Sequence, residues 1–494
     1  FFFIRGVGQV DNSATVDPGV GVYVDEVYLG RIQGGSLDLL DIDRVEVLRG
    51  PQGTLFGRNT IGGAVSVITK DPTDQFEGTL RTILGSRDRR DFSATLNFPL
   101  GETTGLRFSA FSRDQDGWVK NAYTGADFGA VKDRGARAKF RWDFSEDGAL
   151  TLAGDVTRRR GSPANTTLLA FNPRAGVAIP GFTPTGVPFP FPPQPPGPPP
   201  PPGTFPPSDL LRDTSPNPFV GFNSVPSELP EDTFGVSATV AYDFGGVQLK
   251  SITAYRDLDQ QAYADLDGTA YQLYDARFDV KQDQLSQEFQ LTGRALDDRL
   301  EWLAGAYWFR EQADNDTYIC VGTNQPARLP NGNLIPLPPG PPGTPPRPYP
   351  AFVPGASTRL DGRCLQFVNR IGLENESIAG YGNVEFKFTE QWSALAGLRW
   401  TRDEKTQNLE TFFDNRAGVA TLFGLAPLGG IAPVVSAANP ANRAPLSYNE
   451  SWSELTPRVG FDFKARDGLM FYGTYARGFK SGGFGARATP LAPI

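Results

Sequence analysis

The sequence predicts a mainly β protein: a partial transmembrane, up-and-down antiparallel β-barrel with about thirteen strands present, preceded by a partial α+β module. From about residue 76 onward, segments that alternate apolar and polar residues recur along the chain, and most have close to the roughly 9–11 residues that cross a bilayer as a tilted strand. The connections between these segments alternate strictly between short turns and long loops. A barrel with tight turns on one rim and long loops on the other has this order.

The alternation is clearest in residues 136–144. One face carries Ala136, Ala138, Phe140, Trp142 and Phe144, and the other carries Arg137, Lys139, Arg141 and Asp143. We expect the apolar face to meet lipid and the charged face to line the lumen, because a membrane barrel needs both environments.

Aromatic residues stand beside the predicted short turns. They occur as Trp142 with Phe144, Tyr242 with Phe244, Phe386 with Phe388, and Phe461 with Phe463. Rings at strand ends on one rim fit a girdle at the membrane–water boundary. The alternative is ordinary strand-end packing in a soluble β-protein.

The composition excludes several classes of protein. The 494 residues include 47 Lys+Arg and 55 Asp+Glu but no His, and the formal net charge is −8. No apolar run reaches the roughly 18 residues of a membrane helix, and no block of basic residues indicates nucleic-acid binding. Without His the commonest general base and zinc ligand are missing. With no other catalytic or metal-binding constellation, we predict neither an enzyme nor a bound cofactor.

The first 69 residues are Gly-rich with short β-type runs, and a short helix is predicted to start at Ser36, an N-cap residue type. The densest run covers residues 43–65 and predicts a strand, a Gly-Pro turn, a Gly-rich bend and a second strand. It is not a phosphate-binding loop, because the glycine spacing is wrong and Arg58 stands where a Lys is required.

Residues 43–65 closely resemble the plug domain of TonB-dependent outer-membrane receptors. Residues 4–6 and 22–31 do so too, and residues 475–484 resemble a barrel strand-and-loop motif of the same family. The resemblance implies a plug inside a barrel of about 22 strands. Residues 1–72 would be the C-terminal part of the plug and residues 73–494 the N-terminal part of the barrel, so that this chain is an internal piece of a longer protein.

The same resemblance implies partners and a location. Such receptors lie in the lipid of the bacterial outer membrane and bind a scarce nutrient at their outer face, typically a ferric siderophore and sometimes cobalamin or a glycan. The TonB complex of the inner membrane then pulls on the plug to admit the ligand. Two other readings stay open: a passive porin or adhesin barrel, and a soluble all-β enzyme such as a glycan-degrading propeller, which would need acid and base carboxylates at one site.

Five residues are candidates for plug contacts or ligand binding. By the resemblance, Arg49, with Gly50 and Pro51, would contact the barrel wall. A buried Arg49 needs a carboxylate, because an unpaired buried charge costs several kcal/mol; candidates for it are Glu288 and Glu385. The alternative is a solvated turn residue. Tyr28 and Arg31 flank a predicted plug hairpin and would face an anionic or aromatic ligand, or simply form a turn.

Cys320 and Cys364 fall in one predicted long loop. If this loop is outside the cell, the environment is oxidising and the two residues can form a disulfide. Closing such a loop would contribute roughly 4 kcal/mol in the chain-entropy description. The alternative is two unpaired thiols in a cytosolic loop.

Overall fold

The computed structural model describes residues 2–9, 14–31, 41–121, 125–162, 219–221, 229–265, 274–322, 364–414 and 446–484. Within these ranges every regular element is a β-strand. The described residues include no helix with the length and apolar character needed to cross a membrane. The helix predicted to start at Ser36 lies outside the described residues.

The described residues between 2 and 69 form the N-terminal module, which corresponds to the predicted plug and is called the plug below. Its strands are β1 (Phe3–Ile4), β2 (Val7–Gly8), β3 (Val20–Val24), β4 (Val27–Leu29), β5 (Ile42–Arg49) and β6 (Gly63–Thr69). Strands β1 and β2 pair with each other, and the other four form a sheet in the order β4-β3-β6-β5. The central strands β3 and β6 are almost entirely buried, as expected of near-continuous apolar runs.

A two-residue turn joins β3 to β4. Asp25 and Glu26 both have positive φ, 46° and 69°, which a tight hairpin of this length requires. This conformation is unfavourable for residues other than glycine. The carboxylate of Asp25 compensates, because it accepts hydrogen bonds from the backbone N of Thr69 at 2.8 Å and from its Oγ1 at 2.7 Å.

The strands after the plug are β7 (Glu77–Gly85), β8 (Arg89–Pro99), β9 (Thr104–Gln115), β10 (Val119–Asn121), β11 (Asp127–Phe128), β12 (Val131–Ser145), β13 (Gly148–Arg159), β14 (Val220–Gly221), β15 (Glu231–Asp243), β16 (Val247–Asp265), β17 (Tyr274–Ala295), β18 (Leu300–Gly322), β19 (Cys364–Lys387), β20 (Trp392–Asp414), β21 (Leu446–Arg466) and β22 (Leu469–Ala476). The predicted boundary between residues 72 and 73 falls in the segment between β6 and β7.

Thirteen of these strands form one antiparallel sheet, which we call the wall. Each strand pairs with its neighbour in the chain, and only β10, β11 and β14 leave the sequence of pairings to form a small sheet of their own. The prediction of about thirteen strands in an up-and-down order is confirmed. The predicted length of 9–11 residues is wrong for β16 to β21, which have 19 to 24 residues.

The wall has an apolar outer face and a polar lumen face, where the lumen face is the side on which the plug lies. Phe140 pairs across strands with Leu152, and both side chains point outward. The neighbouring residue on β12, Lys139, points to the other face and is buried against the plug. Farther along the same strands the outward pair is Arg134 with Arg158. These arginines mark the end of the apolar band, as a membrane boundary requires.

The aromatic residues beside the short turns form ring contacts at the other end of this band. The ring centroids of Trp142 and Phe144 are 5.8 Å apart, and Trp392 stacks on Phe463 with ring centroids 4.2 Å apart. Trp142, Phe144 and Trp392 are at least 40% exposed. Exposed rings at one rim are typical of the predicted girdle.

Candidate functional site

The plug contacts the lumen face of the wall through its edge strand β4. The backbone N of Gly30 donates to Oε1 of Gln284 at 2.9 Å, and Nε2 of Gln284 donates to the carbonyl of Tyr28 at 2.6 Å. The side-chain amide of Gln284, on β17, thus takes the place of a neighbouring strand. It satisfies edge groups that would otherwise be buried without a partner.

Arg31 follows β4 and forms a two-pronged ion pair with the wall. Its Nε and Nη2 donate to the two carboxylate oxygens of Glu311, on β18, at 2.7 and 2.6 Å. Parallel hydrogen bonds between a guanidinium and a carboxylate are among the strongest polar contacts in proteins. Both side chains are almost fully buried, so this contact fixes β4 against β18.

Asp17 receives hydrogen bonds from both the plug and the barrel strands. Lys405 Nζ, on β20, donates to it at 2.7 Å, Ser481 Oγ at 2.8 Å and Asn59 Nδ2 at 3.0 Å, and Arg31 Nη1 lies 3.5 Å away. Burial alone would raise the pKa of Asp17, but the nearby cations outweigh it and hold this pKa well below its usual value. The charge of Asp17 therefore contributes its full stabilisation at neutral pH. This stabilisation decreases only as the pH falls below about 4, towards the lowered pKa.

Arg58 lies in the Gly-rich bend of the plug and contacts three wall residues. Its guanidinium carbon is 4.5 Å from the ring centre of Phe309, and Nη1 donates to Asn375 Oδ1 at 2.9 Å. Asp403 lies 3.7 Å from the same Nη1. A cation held over an aromatic ring and beside a carboxylate is well suited to a site that excludes water.

These contacts form one cluster, which we call the buried ion network. Its members are Asp17, Arg31 and Arg58 of the plug and Glu311, Asp403 and Lys405 of the wall. Three cations face three carboxylates, and each side chain is at most 5% exposed. Removing one charge would leave another buried without compensation, which is the costly case.

A second set of ion pairs lies on the side of strands β9 to β16. Here acidic groups of the plug and of the segment after it meet basic groups of the wall: Arg107 pairs with Asp41, Arg137 with Asp25, Lys139 with Asp71, and Lys250 with Glu26. Asp71 and Glu26 are 56% and 43% exposed. The pairs of Asp71 and Glu26 are therefore weaker than the contacts of the buried ion network, since exposed pairs contribute little, whereas the side chains of Arg107 and Asp41 are at most 9% exposed.

The predicted residues Arg49, Gly50 and Pro51 are not buried against a wall carboxylate. Arg49 is exposed and makes no ion pair with the described residues, and Pro51 is exposed as well. Arg49 lies on β5, at the edge of the plug sheet opposite β4. Gly50 turns the chain with φ of 83°.

Glu288, one of the two predicted partners, accepts a hydrogen bond from the hydroxyl of Tyr381 instead. Glu385, the other predicted partner, is half-buried on β19. Neither carboxylate contacts Arg49 among the described residues. Among the described residues, the plug arginines that pair with wall carboxylates are Arg31, with Glu311, and Arg58, with Asp403.

Tyr28 and Arg31 do not point outward at a ligand. Tyr28 is 4% exposed, and its hydroxyl accepts a hydrogen bond from Asn59 Nδ2 at 3.1 Å. Arg31 donates two hydrogen bonds to the carboxylate of Glu311. The hairpin that they flank is packed against the wall, so both side chains hold the plug in place.

Cys320 and Cys364 lie on β18 and β19 rather than in the loop between them. Cys364 pairs in the sheet with Gly322, and Cys320 with Gln366. The two residues thus occupy nearby positions on neighbouring strands, and the disulfide stays a prediction.

We expect the substitution Gln284→Leu to weaken the attachment of β4. Leucine has a similar volume but cannot bond the edge of the strand, so the Gly30 N–H and the Tyr28 carbonyl lose their partners. An unsatisfied buried group costs about 1–3 kcal/mol. Hydrogen exchange at the β4 amides should become faster, whereas Gln287→Leu, on the outward face of β17, should leave their exchange unchanged. Equal exchange rates in the two variants would contradict this role.

The wall and the docked plug have the architecture of part of a transmembrane barrel whose lumen holds a separate module. A family model described as "TonB dependent receptor-like, beta-barrel" matches residues 182–493, and one described as "TonB-dependent Receptor Plug Domain" matches residues 1–64. The chain therefore belongs to the TonB-dependent receptor family. Proteins of this family are barrels of the outer membrane of Gram-negative bacteria, and this is the location of the protein.

Individual relatives match parts of the chain. The pesticin receptor of Yersinia pestis is 31% identical over 128 residues, which is 25% of this chain and 18% of the relative. The metal-pseudopaline receptor CntO of Pseudomonas aeruginosa is 31% identical over 125 residues, 25% of this chain and 17% of the relative. The crystal structure of the ferric yersiniabactin uptake receptor FyuA from Yersinia pestis superposes with a TM-score of 0.66 at 15% identity. That superposition covers 97% of this chain and 58% of the other, so the chain spans less than two thirds of that receptor.

Proposed function

We propose that the protein binds a ferric siderophore at its extracellular face and imports it into the periplasm when the TonB complex of the inner membrane displaces the plug. The observation that carries this proposal is the chemistry of the plug–wall contact. Apart from small apolar contacts such as that of Val27 with Ile252 and Ala254, the plug is held by ion pairs and amide hydrogen bonds, which can be exchanged for water when the plug moves. A fixed stopper would be better held by continuous apolar packing.

The choice of ligand rests on the relatives. The names of two of them refer to metal chelates, namely ferric yersiniabactin and metal-pseudopaline. A metal complex of a small organic chelator is therefore the proposed class of ligand. Cobalamin and glycans are the alternatives that the uptake experiment includes.

The experiment measures growth and uptake in the native host. The gene for the full-length protein is deleted, and cells are supplied with a panel of ferric siderophores, with cobalamin, or with glycans as the limiting nutrient. We expect slow growth and loss of radiolabelled iron uptake on one ferric siderophore. Uptake should return when the gene is restored, but only in cells that have TonB.

Two results would contradict the proposal. If uptake of the nutrient continues without TonB, the barrel is a passive channel. If growth fails only on cobalamin or a glycan, the energised mechanism stands and the siderophore is the wrong ligand.

A further inference from the structure

Four basic residues lie together on the outer face of the wall, at the end of the apolar band away from the short turns. Arg134 on β12 is directly opposite Arg158 on β13. In the next row Lys132 lies beside Arg160, whose backbone N donates to the carbonyl of Lys132 at 2.9 Å. Residues directly opposite in an antiparallel pair share a face of the sheet. All four residues are exposed, and we call them the basic block.

The basic block carries more positive charge than its neighbours compensate. The two arginines on β13 both pair with one carboxylate, that of Asp232 on β15, at 3.3 and 2.6 Å. Lys132 and Arg134 make no ion pair with the described residues, although Asp114 on β9 is the cross-strand neighbour of Lys132. Four cations against these two carboxylates leave a net charge of +2 at this place.

The pair of Arg134 and Arg158 is unfavourable as it stands, because like charges directly opposite on neighbouring strands repel each other. An anion between the two side chains would replace this repulsion with attraction. A phosphate group fits this position well, since its oxygens can accept hydrogen bonds from two guanidinium groups at once.

The apolar surface next to the basic block is recessed. In the row that contains Ala138 of β12 and Gly154 of β13, these small residues are flanked by Phe108 on β9 and Val236 on β15. Phe108 and Val236 are exposed on the outer face. The recess between them is two strands wide, about 10 Å, which is enough for a hydrocarbon chain.

We propose that the basic block and this recess bind one phosphate-bearing glycolipid of the outer leaflet, with a phosphate between Arg134 and Arg158 and an acyl chain in the recess. The long connections of such a barrel face the cell exterior, so the basic block lies level with the headgroups of that leaflet. Clusters of basic residues at a membrane surface attract anionic lipid headgroups.

A lipid fits this surface better than a soluble anion does. The charged and the apolar parts of the site adjoin on one face of the same strands, and a molecule with both a phosphate and a hydrocarbon chain covers both. The site lies on the outside of the wall, away from the plug, so this inference does not depend on the proposed function.

The test measures binding of lipid A, a phosphorylated glycolipid, to the purified full-length protein in micelles by native mass spectrometry. We expect Arg134→Gln to weaken binding about tenfold, because a charge-assisted contact with the phosphate is lost. The substitution breaks no ion pair among the described residues, so the barrel should keep its heat-modifiable mobility. Arg134→Lys keeps the charge and should retain most of the binding.

The matched control is Lys281→Gln. Lys281 lies on β17 in the same outward row of the wall as Arg134, but its amine is 3.6 Å from the carboxylate of Asp259. The control therefore removes a cation at the same height from a place that is already neutralised, and lipid A should bind to it as to the unsubstituted protein. A merely structural effect of lost surface charge would be at least as large in the control.

Two further ligands identify the part of the lipid that is recognised. Lipid A without its phosphates should bind about tenfold more weakly than intact lipid A, and inorganic phosphate at equal concentration should not displace bound lipid A. If Arg134→Gln and Lys281→Gln bind lipid A equally, or if removal of the phosphates has no effect, the basic block does not bind a lipid phosphate. If inorganic phosphate displaces the lipid, the site binds a free anion and the recess holds no chain.

Discussion

Asp17→Asn should loosen the plug within the barrel. Asparagine keeps the shape of Asp17, but the buried ion network is then left with three cations and two carboxylates. Breaking a buried ion pair by removing one partner costs about 3–5 kcal/mol. Hydrogen exchange at the amides of β3 and β6, measured in the full-length protein in micelles, should show a free energy of opening that is lower by a similar amount.

Two further variants check this expectation. Asp43→Asn makes the same substitution in the plug at an exposed ion pair with Arg44, and it should change the free energy of opening by less than about 1 kcal/mol. Lys405→Gln combined with Asp17→Asn restores equal numbers of charges, so the double variant should recover part of the loss. If Asp17→Asn and Asp43→Asn cost the same, the network does not anchor the plug.

Leu152→Lys should prevent assembly of the barrel in the outer membrane. Leu152 is outward on β13 and pairs with Phe140 in the apolar band. A lysine that faces lipid near the middle of the bilayer costs about 2–4 kcal/mol. The amount of heat-modifiable barrel in the outer-membrane fraction should therefore fall sharply.

Thr151→Lys is the matched control, because Thr151 is the neighbouring residue and points to the lumen. This variant should assemble at close to the normal level. Equal loss of assembly in both variants would mean that the assignment of the two faces is wrong.

The lipid-facing side of the wall could be predicted from the sequence because every second residue of a membrane-spanning strand contacts lipid. Residues 136–144 show why: the outward side chains must be apolar, and the lumen side chains are free to be charged. The prediction of strand length failed for β16 to β21 for the same reason. Above the membrane both faces of a strand meet water or polar groups, so the alternation disappears from the sequence although the strand continues.

The plug contacts could not be predicted in the same way, because their partners are far apart in the chain. Arg31 meets Glu311, and Asp17 meets Lys405, across 280 and 388 residues. Each residue alone resembles an ordinary surface charge. Arg58 was noted only as the residue that excludes a phosphate loop, and Gln284 gave no signal, since nothing local distinguishes an amide that bonds the edge of a strand from one that meets water.

The opposite polarity of the two plug contacts has a consequence for how the plug enters its barrel. On one side the plug offers Arg31 and Arg58 to wall carboxylates, and on the other it offers Asp25 and Asp41 to wall arginines. A plug rotated until Arg31 and Arg58 faced the wall arginines Arg107 and Arg137 would bring guanidinium against guanidinium. Repulsion between like charges disfavours this misdocked arrangement. The ion pairs therefore favour one rotational orientation of the plug within the wall.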